Sequence, residues 1–93
     1  GAVVKGVPSD GIGIRVQAGA NGNQIDGCRI SGGGGQITAV SLAGNNNQVI
    51  NSRFNALLGG TAISNTGSNN SIAPVVNPTD IANNTNPAAN YVH

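Results

Sequence analysis

The chain has 93 residues, enough for one small domain at most, with 15 glycines, a charged fraction of 8% and an aromatic fraction of 2%. So little charge argues against ordinary disorder, and so much Gly and Asn argues against a helical bundle. A net charge of +1 gives no electrostatic case for nucleic acid or an anionic membrane, and no apolar run approaches the ~20 residues of a membrane span.

In chain order, the opening GAVVKGVPS reads as the end of an earlier coil, and a start at Gly1 rather than Met is expected of a processed or excised piece. Alternation of apolar and polar residues predicts a strand over Ile14-Arg15-Val16-Gln17-Ala18 and another over Thr38-Ala39-Val40-Ser41-Leu42. Each is followed by a Gly/Asn turn, GANGN and then GNNN, and by a second β-prone run, QIDGCRI and then QVINSRF. The Gly run at 32–35 lacks the Lys-Ser/Thr and the ensuing helix of a phosphate-binding loop, so it is expected to be a flexible loop, with LLGGT in the same slot later. From Asn77 onward Pro78 and Pro87 bracket a polar stretch, and proline stops a strand ladder. This divides the chain into coils over 1–77 and an extended capping or partner-contacting tail over 78–93.

Three segments align without gaps: VQAGANGNQIDGCRI at 16–30, VSLAGNNNQVINSRF at 40–54 and ISNTGSNNSIAPVVN at 63–77. Val16, Val40 and Ile63 match, as do Ile25, Val49 and Ile72, and all six are expected inside. A period near 23 residues with Leu at only three positions is not a leucine-rich repeat. The pattern predicts an all-β solenoid of about three coils whose strands stack in parallel. Asn23, Asn47 and Asn70 occupy one position of the repeat and would form a ladder at the strand spacing of ~4.8 Å, each amide donating to the next. The middle rung, Asn47, serves two neighbours and is expected to matter more than Asn70. The flanking asparagines suit the left-handed backbone of a tight turn.

The residues NNNQVINSRF and GNQIDGCRI resemble the repeat of right-handed parallel β-helix proteins, which include pectate-lyase-like polysaccharide lyases and hydrolases, alginate epimerases and bacteriophage tailspikes. The resemblance covers roughly residues 11 to 77. It implies a right-handed parallel β-helix, and the ending NPTDIANNTNPAANYVH is similar to the extended tail of some tailspike-like chains.

The chemistry available is sparse. There is no Glu, and the acids are Asp10, Asp26 and Asp80, whereas glycoside hydrolysis normally needs two carboxylates facing one bond. Their spacing brings no two together, and Asp10 in SDG reads as a turn residue. No catalytic residue, metal site or cofactor is expected. Related lyases pair a basic residue with calcium held by several acids, and this chain has no such cluster. Cys28 aligns with Ser52 and Val75 in a small inward slot and is expected to be a buried structural thiol. A lone Cys excludes an internal disulfide and favours a bacterial or viral source over a secreted animal module. Arg29 and Arg53 share one repeat position and are expected to point outward as stacked cations, with Asp26 near enough to relieve Arg29.

Two functions are compatible with this pattern. One is a non-catalytic C-terminal β-helix segment of a phage tailspike-like or extracellular carbohydrate-active protein. It would contact a polysaccharide or cell-surface glycan, or a partner subunit, through Arg15, Arg29, Arg53 and Tyr91. Its partners would be an upstream β-helix and further copies of itself, a trimer being the form tailspikes imply, and its place the virion or the cell exterior. The other is part of a polysaccharide lyase, glycoside hydrolase or epimerase whose catalytic groups lie mainly upstream of Gly1.

Overall fold

The computed structural model describes residues 3–8, 10–32, 36–55, 60–73, 81–82 and 91–92. The described residues form strands and turns, with no helix. In chain order the strands are β1 (Val3–Val7), β2 (Ile12–Val16), β3 (Gln24–Asp26), β4 (Arg29–Gly32), β5 (Thr38–Leu42) and β6 (Gln48–Ile50). They continue as β7 (Arg53–Asn55), β8 (Thr61–Asn65), β9 (Ser71–Ala73), β10 (Ile81–Ala82) and β11 (Tyr91–Val92). Three sheets result: a first of order β1-β4-β7, a second of β10-β8-β5-β2 and a third of β11-β9-β6-β3. Every pairing is parallel. From β1 to β9 the chain visits first, second and third sheet in the same cyclic order.

The third sheet was not foreseen, because each second β-prone run was read as one strand. Gly27 and Asn51 break those runs, with φ of 65° and 52°. A left-handed residue cannot continue a strand, and Gly and Asn are the residues that adopt it at least cost. The corner is fastened by backbone bonds from Gly27 to the Ile50 carbonyl (3.1 Å) and from Asn51 to the Ala73 carbonyl (3.0 Å). The Cys28 N–H donates to the Ser52 hydroxyl (3.2 Å), which donates in turn to the Ile50 carbonyl (3.0 Å).

Register corrects the gapless alignment in one place. Val16 pairs with Leu42, and Val40 pairs with Ile14 and Ile63. The first repeat carries two more residues between second and third sheet than the later ones do. They are absorbed by a turn in which the Ala20 N–H donates to the Gln17 carbonyl (3.0 Å) and Gly19 takes a φ of 88°. Two residues are one full period of a strand, so inward residues stay inward. Val16, Ile25, Val40, Val49, Ile63 and Ile72 are all buried.

The alternation foreseen along β5 also fails locally. Ala39 and Val40 are consecutive and both buried, as are Ala62 and Ile63 in β8. The inward phase therefore switches within each strand. A Cβ added to Gly13, in β2, would lie 2.7 Å from the Ile30 side chain and 2.7 Å from the Ala39 carbonyl, so this column of the core takes only very small residues. Elsewhere in the core Ile30, Leu42, Ile63 and Ile72 are the largest wholly buried apolar side chains, each contributing about 1.5–3 kcal/mol.

In the tail, Ile81 pairs with Ile63 and Tyr91 with Ser71, so these two short strands extend the second and third sheets. Asp80, Pro78, Pro87, His93, the loop residues 33–35 and 56–59 and the side chain of Tyr91 lie outside the described residues.

Candidate functional site

The Asn-rich turn between second and third sheet is built in four rows. The first is Ala20, Gly44 and Gly67. A Cβ on Gly44 would meet the Ala20 carbonyl at 2.0 Å, and one on Gly67 the Gly44 carbonyl at 1.8 Å, so successive turns touch backbone to backbone. The second row is Asn21, Asn45 and Ser68, where the Asn45 N–H donates to Asn21 Oδ1 (2.8 Å) and the Ser68 N–H to Asn45 Oδ1 (2.9 Å). The third is the left-handed position, with Gly22, Asn46 and Asn69 at φ of 73°, 59° and 56°.

The fourth row is Asn23, Asn47 and Asn70. Its bonds run from side chain to backbone rather than from amide to amide. The Asn23 N–H donates to Asn47 Oδ1 (2.8 Å), and the Asn47 N–H to Asn70 Oδ1 (2.9 Å). The side-chain NH₂ of Asn47 donates to the Ala20 carbonyl (3.3 Å) and that of Asn70 to the Gly44 carbonyl (3.2 Å). Asn47 and Asn70 are buried and Asn23 is exposed. The Asn47 and Asn70 amides thereby each satisfy one N–H and one C=O of the preceding turn, which a sharp corner would otherwise leave unpaired. Asn65 was missed by sequence reasoning. It stands in the inward position of Val16 and Leu42, is wholly buried, and accepts from Asn70 Nδ2 at 2.9 Å. Its place beside an apolar strand gave no polar signal.

Arg29 and Arg53 pair in register in the first sheet, and both are exposed. Val3 pairs with Arg29 on the other side. A cleft of about 330 Å³ on the Arg29 side of this pair is lined by Val3, Lys5, Arg29, Ile30 and Ser31, with two cations and no acid among the described residues. Asp26, in β3, accepts from Asn51 Nδ2 (3.4 Å) rather than from an Arg29 guanidinium. Arg15 is exposed on β2, in the second sheet, and so stands outside the Arg29–Arg53 row. Tyr91 lies in β11 of the third sheet, on its edge.

A second concavity, of about 430 Å³, runs across the turns at the start of the third sheet, and its described lining residues are uncharged Gly, Asn, Gln and Ser. Asp10, with φ of 62°, ends the link from first to second sheet and borders a smaller polar cleft with Gln36, Thr38 and Thr61. Asp10 and Asp26 thus sit at different corners. Among the described residues no three His, Cys, Asp or Glu side chains gather, and Cys28 is buried with its thiol 3.7 Å from the Asp26 carbonyl. No helix among them is long and apolar enough to cross a membrane. Comparison of the chain with family models, with curated proteins and with solved structures gave no match.

Proposed function

We propose that the chain forms about three coils of a right-handed parallel β-helix, and that it serves as a non-catalytic segment of a phage-tail or extracellular carbohydrate-active protein. Its basic face contacts an acidic glycan. The cyclic strand order through three parallel sheets supports the helix, and crossovers between parallel strands are right-handed in about 98% of cases. The glycan reading is carried by one observation: Arg29 and Arg53 stand in register and exposed, and the cleft that Arg29 lines with Lys5 has no acid among its described residues. Like charges one strand apart repel, and an anion shared between them relieves that repulsion. A guanidinium forks onto a carboxylate with two parallel hydrogen bonds, which suits a uronic or sialic acid. The same face suits a subunit contact in a homo-oligomer, a trimer by analogy with tailspikes.

Calorimetric titration with oligogalacturonate decides between these uses. The glycan reading expects binding that weakens with added salt and is lost in an Arg29→Ala/Arg53→Ala variant that still melts cooperatively. Unchanged binding in that variant, or none in the parent chain, refutes it. Concentration-dependent self-association abolished by the same substitutions assigns the face to assembly.

A further inference from the structure

We infer that the groove across the Asn-rich turns is a second binding site, for an uncharged polyhydroxylated chain such as a neutral oligosaccharide. The inference rests on the glycan reading for its ligand class, but on a different face and a different chemistry. The groove holds about 430 Å³ and is walled by Gly22, Gln24, Asn46, Gln48, Asn69 and Ser71. Two amide rows cross it. Gln24 Nε2 donates to Gln48 Oε1 at 3.2 Å, and Asn69 Nδ2 donates to Asn46 Oδ1. Each of these amides has two hydrogen-bonding groups and spends one on its neighbour in the row. The other is left over: an oxygen on Gln24 and Asn69, an NH₂ on Gln48 and Asn46. All four side chains are exposed.

The rows also hold the amides still. A side chain already bonded to its neighbour in the next repeat loses less freedom when a ligand binds than an isolated surface Gln would. What results is a set of donors and acceptors repeating at the strand spacing of ~4.8 Å. A ligand that both donates and accepts at short intervals matches such a set, and sugar hydroxyls do both. An ion finds no opposite charge among the described lining residues. None of the described lining residues is aromatic, so the affinity expected from these amides is millimolar.

The test is nuclear magnetic resonance on the whole chain, following the side-chain NH₂ signals of Gln24, Gln48, Asn46 and Asn69. Maltohexaose, cellohexaose and chitohexaose are the neutral probes and oligogalacturonate the acidic one. At least one neutral probe should shift these four NH₂ signals together, saturably and independently of salt and pH. Affinity should fall about five- to tenfold in Gln24→Leu/Gln48→Leu, as expected for losing one or two hydrogen bonds, and stay unchanged in Arg29→Ala/Arg53→Ala. Absence of any shift with all three neutral probes overturns the inference, and needs no variant to fold. So does neutral-probe binding that disappears with the arginines or survives loss of both glutamines. Failure of oligogalacturonate alone refutes the basic-face contact and leaves the groove standing.

Discussion

Replacing Asn70 with Ala should destabilise the protein more than replacing Asn47, the reverse of what a simple ladder with a strong middle rung suggests. Asn47 satisfies two partly buried groups, the Asn23 N–H and the Ala20 carbonyl. Asn70 satisfies three buried ones: the Asn47 N–H at 2.9 Å, the Gly44 carbonyl at 3.2 Å and Asn65 Oδ1 at 2.9 Å. A buried polar group left unpaired costs about 1–3 kcal/mol. Water can reach the partly buried partners of Asn47, so its loss should cost about 1.5–3 kcal/mol, against about 3–5 kcal/mol for Asn70. At about 0.05–0.15 kcal/mol per residue, a chain of 93 residues has about 5–14 kcal/mol in all, so the second loss is a large part of the whole. Urea denaturation followed by circular dichroism measures both, provided the m-values agree. A cost for Asn70→Ala equal to or below that for Asn47→Ala would refute the idea that the number of buried partners sets the energy. Losses under about 0.5 kcal/mol for both would mean that the asparagines act only through turn conformation.

Gly67→Ala and Gly44→Ala should each block folding or cost several kcal/mol, because the new methyl would sit 1.8 Å or 2.0 Å from a backbone oxygen. Gly19→Ala, whose Cβ meets nothing within 4 Å, should cost only the about 1–2 kcal/mol of left-handed strain, read as a shift in melting temperature. Val49→Asp puts an unpaired charge where the side chain is 2% exposed, and its circular dichroism spectrum should be that of an unfolded chain. At Asn46, with φ of 59°, substitution by Gly should be nearly neutral and by Val clearly destabilising in the same melts.

The periodic positions were legible in the sequence because they repeat a chemical type. Val49 and Ile72 align with Ile25 at fixed spacing, and the pleat of a strand then fixes which way each points. The corner at Gly27 and Asn51 was not, since one left-handed residue inside a β-prone run leaves no mark on hydrophobic periodicity. The two extra residues at Ala18 and Gly19 escaped a gapless alignment for a related reason: a shift of two preserves the inward and outward pattern. Arg29 and Arg53 were placed side by side by their spacing alone, whereas Arg15 was grouped with them by charge and belongs to another sheet. The uncharged groove was not visible beforehand. Gln24 and Gln48 were matched as a repeat pair, but a concavity belongs to three dimensions and has no sequence signature.

The backbone bonds of this protein carry a consequence for how it forms. Among the described turn and loop bonds only two are local, Gly11 to Pro8 and Ala20 to Gln17, while the others join residues one repeat apart. Among the described residues a repeat has few bonds within itself, and none of them builds a self-stabilising helix from which folding can start. The first productive event must bring two repeats into register, closing a loop of about 24 residues at an entropic cost of about 3 kcal/mol beyond a constant, before any row bond is made. Each later repeat pays the same closure again, but on a template that already displays the rows. Folding is therefore expected to be slow to begin and directional once begun, with stability growing by whole repeats and not by residues.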